Sequence, residues 1–275
     1  MLFTSSEYGP IPYYHGLDPA SAHRVRSIAL NDPDALATAL APGDVACVVT
    51  EPALTNAGVI QPDPGFHAEL HRLTRAHGTL LLLDETHTQV CGPGGLTGRW
   101  GLDPDLVVVG KSIAGGLPLG AYGMTDALAD RHERPDPDDA HAGFASGGTL
   151  FANALSMAAA RAVLAEGAYT RTAALGARLA DGIEAVAADA GLDWRAHRLY
   201  PRSGYAYGDE SPRDLGDYQR TDRRDVTDLR RVYLAIRGVW EAIYSTGPCV
   251  SIAHTAEDID RYLTALADLA AELSA

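Results

Sequence analysis

Lysine is all but missing from this chain. Of its 22 basic side chains, one is lysine, Lys111, and 21 are arginine. A composition heavy in Arg, Ala and Asp accounts for the general scarcity, so the survivor raises a chemical question: which task needs an ammonium and not a guanidinium? Cysteine is scarce too. Cys47, Cys91 and Cys249 are scattered without C-x-x-C spacing, which suggests neither a disulfide framework nor a zinc site. Long apolar runs are lacking; TLLLLDE falls far short of the ~20 residues that span a bilayer. The start, MLFTSSEYGPIPYYHG, has no basic stretch ahead of an apolar one, so no secretory leader is expected. Positive charge is outnumbered by 36 acidic residues, for a net charge of -14. That balance argues against a nucleic-acid groove and a polybasic membrane patch. A cytoplasmic setting is expected.

Several catalytic signatures are also missing. No G-x-S-x-G elbow is present, and GGLPLG and CGPGG match neither the Walker order nor G-x-G-x-x-G. HAELH puts His67 and His71 one helical turn apart, but Ala68 occupies the glutamate position of the zinc-protease motif; a solvated helix face is expected there. The arginines of RTDRRDVTDLRR alternate with acids, the pattern of an exposed helix.

With 275 residues, 46% of them hydrophobic, the chain has material for a large domain and a smaller appendage. ALATALAPG reads as a helix end stopped by Pro42 and Gly43, and DVACVVTEP as a strand. GFHAELHRLTRAHG spaces Phe66, Leu70 and Leu73 for a helix, with Gly78 at its C-cap. TLLLLDE and DLVVVGK are continuous apolar runs, as strands buried on both faces should be, and LGAYGM is a shorter one. This order predicts an α/β fold with a mostly parallel sheet. An Ala-rich helical region follows from about Asn153 to Asp189, broken near Gly167. YPRSGYAYGDESPRDLGDYQRTDRRD promises little core, and AEDIDRYLTALADLAAEL is an amphipathic helix. The expected division is 1–165 for the sheet-bearing part and 166–275 for a small α+β C-terminal part.

Ligands of open parallel sheets bind beyond the carboxyl ends of the strands. Asp84 ends TLLLLD there, and Lys111 follows VVVG. A carboxylate and an amine so placed are consistent with pyridoxal phosphate, whose aldehyde forms an imine only with a primary amine. Guanidinium, with a pKa of roughly 12.5 or more, does not lose its proton for that task. By spacing alone, a surface amine beside a Gly-rich turn and a carboxylate capping a helix account for the two residues equally well.

The wording around these residues adds to the spacing. LLLLDETHT followed by LTGRWGLDPDLVVVGKSIAGGLPLGAYG resembles the class III, fold type I, pyridoxal-phosphate aminotransferases. VVTEPALTNAGVIQPDPGF continues the likeness upstream, and SGGTLFANALSMAAARAVL and SIAHTAEDID downstream, the last two most like the glutamate-1-semialdehyde aminomutase branch. The resemblance implies amino transfer between an amino donor and an oxo acceptor, with intramolecular transfer as the alternative. It implies that Lys111 holds the cofactor as an internal aldimine and carries the substrate proton, and that Asp84 pairs with the pyridine nitrogen. Thr149, with Gly148 beside it, would meet the phosphate of the neighbouring subunit's cofactor at a helix start, which implies a homodimer.

Departures from the family pattern are local. Thr86 stands where valine usually packs on the ring face, and His87 where glutamine or methionine is common near the phenolic oxygen. Gln89 replaces a glycine, Thr55 replaces another, and Asn56 keeps the form of the aminomutase branch as a candidate substrate contact. The front departs most. Only 50 residues precede Glu51, too few for the phosphate-cradling S-G-T segment and first strands that the family carries. YYHG offers Tyr14 as a candidate for the stacking aromatic. The chain therefore reads as truncated at its N-terminus, and a separate polypeptide or longer parent chain is expected to complete the sheet edge. A noncatalytic fragment stays open as a further reading.

Overall fold

The computed structural model describes residues 2–4, 24–56, 58–133, 147–208, 210–242 and 247–275. The sheet takes strands β1 (Leu2–Thr4), β2 (Arg26–Ile28), β3 (Cys47–Thr50), β4 (Leu80–Asp84), β5 (Leu106–Val109) and β6 (Ala121–Met124), in the order β2-β1-β3-β4-β5-β6. All neighbours pair in parallel except β5 and β6, which are antiparallel. The sequence reading missed β1 and β2: three-residue strands carry too little period-2 pattern to register. They pair beyond β3, so the borders of the described sheet fall at β2 and β6.

Helix α1 (Pro33–Leu40) starts on Asp32, whose carboxylate accepts from Ala35 N at 2.8 Å, with proline in its first turn where no donor is needed. Helix α2 (Phe66–Ala76) follows the predicted spacing. The two helices bury Leu36, Leu40, Leu70 and Leu73 against Val48, Leu81 and Leu83 of the sheet. Burial of such side chains supplies roughly 1.5–3 kcal/mol each. Leu81 and Leu83 are buried, but Leu80, Leu82 and Asp84 are partly exposed, as is every residue of β5. The expectation of strands buried on both faces therefore holds for one face of β4 and for neither face of β5; the described residues cover the rest incompletely. Asp105 locks the register of β4 on β5: its carboxylate accepts from Leu81 N at 2.8 Å and pairs with Arg75 at 2.7 Å.

Helices α3 (Gly95–Trp100) and α4 (Asp126–Glu133) flank β5 and β6 along the chain. α5 (Ala154–Glu166) and α6 (Tyr169–Asp189) then form the Ala-rich region, broken by Gly167 at φ 61°. Strands β7 (Trp194–Leu199) and β8 (Arg202–Tyr207) make an antiparallel hairpin. Helices α7 (Leu215–Thr221), α8 (Arg224–Ala235) and α9 (Ala256–Leu273) complete the fold. α6, α8, α9 and the hairpin share a second apolar core that includes Leu179, Ile183, Trp194, Tyr205, Leu234 and Leu266. α9 begins with a capping box between Thr255 and Asp258.

Two expectations are corrected here. The stretch that begins YPRSGYAY is expected to offer little core, yet β8 is almost wholly buried. α8 was read as an exposed helix, yet Arg230 is among the largest fully buried side chains. One network explains both: Arg230 pairs with buried Glu241 at 3.0 Å, lies 3.9 Å over the Tyr205 ring and donates to Tyr207. Polar tips that find partners let aromatic and guanidinium bodies count as core. Among the described residues no helix is long and apolar enough to cross a membrane.

Candidate active site

Asp84 and Lys111 lie at the same end of adjacent strands. Asp84 is the last residue of β4 and stands opposite Val108 of β5. Lys111 follows β5 by one residue, Gly110, and opens a short 3-10 turn, Lys111–Ala114. Its φ is 49°, in the left-handed region, an arrangement that costs roughly 1–2 kcal/mol for a residue with a Cβ. Thr86 N donates to Asp84 Oδ1 at 2.8 Å, which fixes that carboxylate. The Thr86 methyl lies over Gly110, 3.5 Å from where a Cβ would stand. Gln89, the departure at the motif glycine, gains a structural role: its amide donates to Gly110 O and reaches Ser112 Oγ at 3.3 Å, tethering the lysine turn. Lys111 is exposed, and its amine makes no hydrogen bond or ion pair among the described residues.

A second cluster stands beside this pair. Thr55, fully buried, donates to Glu51 Oε2 and shares a 2.6 Å hydrogen bond with His87 Nδ1. Asn56 Nδ2 donates to Glu51 Oε1 at 3.3 Å, so Asn56 is engaged with the protein's own acid. Buried Arg202, at the start of β8, donates to His87 O at 3.4 Å. Glu51 and Arg202 were not singled out in the sequence. In the sequence Glu51 is a strand end, and Arg202 lies in a stretch expected to offer little core.

Burial pushes the Glu51 carboxyl up to about 7, and the charge of Asp84 adds to the effect; the Thr55 hydroxyl and Arg202 oppose it. Burial lowers His87 to about 4, helped by the positive charges of Arg202 and Lys111 and opposed by Asp84. His87 is thus neutral at pH 7 and lies within the fields of both Lys111 and Asp84. A carboxyl raised from its ordinary value of about 4.5 binds its proton more tightly in the folded state, so the Glu51 contribution is fully present below that value. It is lost as pH rises through about 7. His87 contributes in the opposite sense, but only below its unfolded value of about 6.5. Between about pH 6.5 and 8 the melting temperature of the wild type is expected to fall more with rising pH than that of Glu51→Gln. Parallel curves in a thermal-melt series would remove the assignment.

Glu85, next to Asp84, is wholly structural. It is 1% exposed and accepts from Leu96 N at 3.2 Å, Thr97 N at 2.5 Å and the Thr88 hydroxyl, capping α3. Gly95 has a φ of 63°, and a Cβ there would collide with the Glu85 carboxylate. Gly95→Ala is expected to cost about 2–4 kcal/mol through the left-handed backbone and the loss of charged hydrogen bonds, read as a lower denaturant midpoint. An unchanged midpoint would contradict this packing.

The remaining predicted residues stand apart. Gly148 and Thr149 sit in an exposed turn ahead of α5, and no described contact joins them to Asp84 or Lys111. α5 itself packs on the Lys111 turn, with Ser156 Oγ donating to Pro118 O at 3.0 Å. His67 does not lie on a solvated face: its Nε2 bonds Pro52 O at 2.8 Å and its ring meets Phe66 edge-on. Tyr14 lies outside the described residues.

Comparison with known proteins gives the family and the fold. The family model described as aminotransferase class-III matches residues 18–191. A glutamate-1-semialdehyde 2,1-aminomutase of Desulfosudis oleivorans is 35% identical over 242 residues, covering 83% of this chain and 53% of that protein. A crystal structure of a glutamate-1-semialdehyde aminomutase from Pseudomonas aeruginosa superposes with a TM-score of 0.87 at 36% identity, over 99% of this chain and 65% of that one. An omega-transaminase from Sphaerobacter thermophilus shares the fold at a TM-score of 0.86 and 23% identity. This chain thus spans about half to two thirds of the length of these aminomutases. By family match, relatives and fold together, the chain belongs to the class III aminotransferases.

Proposed function

We propose that this chain carries the cofactor-holding centre of a pyridoxal-phosphate-dependent aminotransferase. The observation that carries the proposal is the placing of Asp84 and Lys111 at the ends of adjacent strands, with neutral His87 in the field of both. The donor set fits the group. Asp84 has one oxygen fixed by Thr86 N, and among the described residues no hydrogen bond takes up the other. Among the described residues the Lys111 amine is uncommitted, Thr86 offers a methyl over Gly110, and His87 offers an uncharged ring.

In this reading Asp84 would pair with the pyridine nitrogen, Lys111 would hold the aldehyde carbon, and Thr86 and His87 would line the cofactor. Gly148 and Thr149 would contribute to phosphate binding across a homodimer. The exposed Leu150, Phe151 and Leu155 beside them support a second copy at that face. When bound, pyridoxal phosphate supplies an electron sink for a carbanion at the substrate carbon. The chain's own work is proton handling: Lys111 Nζ takes the substrate proton and returns it at a different carbon, and Asp84 supplies the countercharge to the pyridine nitrogen. Substrates are an amino donor and an oxo acceptor. The parts 1–165 and 166–275 serve as cofactor-binding and C-terminal units; each has a main apolar core, and Leu199, Leu215 and Tyr218 of the second pack on residues of the first. The setting is cytoplasmic, and a separate N-terminal polypeptide is the alternative route to a complete phosphate site.

Intramolecular amino transfer between adjacent carbons of an amino aldehyde is the second reading, favoured by Asn56 and by the aminomutase relatives. Activity that persists with no second oxo substrate distinguishes it from transamination. The proposal as a whole is tested by titrating the protein with pyridoxal phosphate. An absorbance band near the visible edge is expected for the wild type, with weaker retention in Asp84→Asn; equal retention in both would refute the role of Asp84.

A further inference from the structure

The cluster beside the strand ends contains a continuous chain of hydrogen bonds, Glu51 Oε2 to Thr55 Oγ to His87 Nδ1. Thr55 and His87 both stand where the family pattern usually has other residues. A hydroxyl in the middle of such a chain can donate to only one neighbour at a time. When Glu51 is a carboxylate it can only accept, so Thr55 donates to it. Thr55 Oγ then accepts from His87 Nδ1–H, and His87 Nε2 is left with a lone pair. When Glu51 carries a proton it can donate to Thr55 Oγ. Thr55 then turns its hydrogen to His87 Nδ1, and the ring hydrogen sits on Nε2.

We infer that Glu51, Thr55 and His87 form a proton relay in which the state of Glu51 sets whether His87 Nε2 accepts or donates a hydrogen bond. The balance is one proton. A proton taken up at Nε2 is matched by transfer of the Nδ1 hydrogen to Thr55 Oγ and of the Thr55 hydroxyl hydrogen to Glu51 Oε2. The ring stays neutral, and the net charge appears as one added proton on Glu51. Nε2 has no hydrogen-bond partner among the described residues, so it is the open end of the chain.

The surroundings place Glu51 where this exchange matters. It is faced by Asp84 from the end of β4 and by Arg202 from β8, with the Asn56 amide on its other oxygen. His87 is faced by Arg202, Lys111 and Asp84. Burial and Asp84 bring the Glu51 carboxyl to about 7, so both states are populated near neutrality, while the low His87 value keeps the imidazolium out of that range. Glu51 and Thr55 are positioning residues here; they act through His87. That the open end addresses pyridoxal phosphate rests on the function proposed above, whereas the relay is built from the chain alone.

The experiment is a histidine nitrogen NMR titration of the full chain without added cofactor, with the His87 signals identified by their loss in His87→Gln. Above about pH 8 the Nδ1–H tautomer is expected, and below about pH 6 the Nε2–H tautomer, without an imidazolium in that range. Thr55→Ser keeps the exchange; Thr55→Val and Glu51→Gln abolish its midpoint near 7. A single His87 tautomer throughout the wild-type titration overturns the relay, as does an exchange that survives in Thr55→Val. The wild-type titration decides even if a variant fails to fold. Because no cofactor is added, a failure here leaves the proposed function standing, and a failure to capture cofactor leaves the relay standing.

Discussion

Lys111→Arg is expected to be as inactive as Lys111→Ala, although it keeps the charge and most of the length. The task is to lose a proton, form a bond to carbon and later carry a proton between carbons; a guanidinium does none of these. Removing both the covalent link and the proton carrier is expected to lower turnover at least about a thousandfold. Both variants should lose the absorbance band near the visible edge. A small primary amine added to the solution should partly restore the proton-transfer step in Lys111→Ala, where space is opened, and less in Lys111→Arg, where the side chain fills it. Turnover in Lys111→Arg within tenfold of wild type would show that this residue is a surface cation beside a glycine-rich turn.

Arg230→Ala is expected to be the most destabilising single substitution of the C-terminal part. The side chains of Arg230 and Glu241 are 2% and 1% exposed, and the guanidinium meets the carboxylate through Nε at 3.1 Å and Nη2 at 3.0 Å. Tyr262 also donates to Glu241, and Tyr205 packs its ring under the cation. Truncating the cation leaves a buried carboxylate with two fewer donor groups and a void under Tyr205. Breaking such a pair from one side costs about 3–5 kcal/mol. For a chain of this size that corresponds to a fall of roughly 6–20 °C in melting temperature. Arg230→Met combined with Glu241→Leu removes both charges, fills most of the volume and is expected to recover much of the loss. A single variant that melts within about 2 °C of wild type would show that the pair is solvated in solution.

What could be read from the sequence was the part carried by repeating pattern. Phe66, Leu70 and Leu73 recur at helical spacing, and the apolar runs ending at Asp84 and Val109 have no other economical reading, so α2, β4 and β5 fall where expected. Gly167 punctuates the Ala-rich region because it alone takes the left-handed turn there without strain. What escaped was held by pairing across the chain. Arg202, Tyr205 and Arg230 look like surface residues until Glu51, Tyr262 and Glu241 are brought to them by the fold, and local composition contains no trace of those partners. The candidate site divides in the same way. Asp84 and Lys111 announced themselves by position at strand ends, whereas Glu51 became visible as a titrating neighbour only when Thr55 and His87 closed a chain of hydrogen bonds around it.

The most direct test of the central claim uses the scarcity with which the sequence begins. With a single lysine in the chain, the N-terminal α-amino group is the only competing primary amine. Incubation with pyridoxal phosphate, reduction with borohydride and peptide mapping by mass spectrometry should find one added pyridoxyl group, on the peptide containing Lys111, and much less of it in Asp84→Asn. A label confined to the N-terminal peptide, or no label under conditions where the protein is folded, would contradict the assignment of Lys111 as the residue that holds the cofactor.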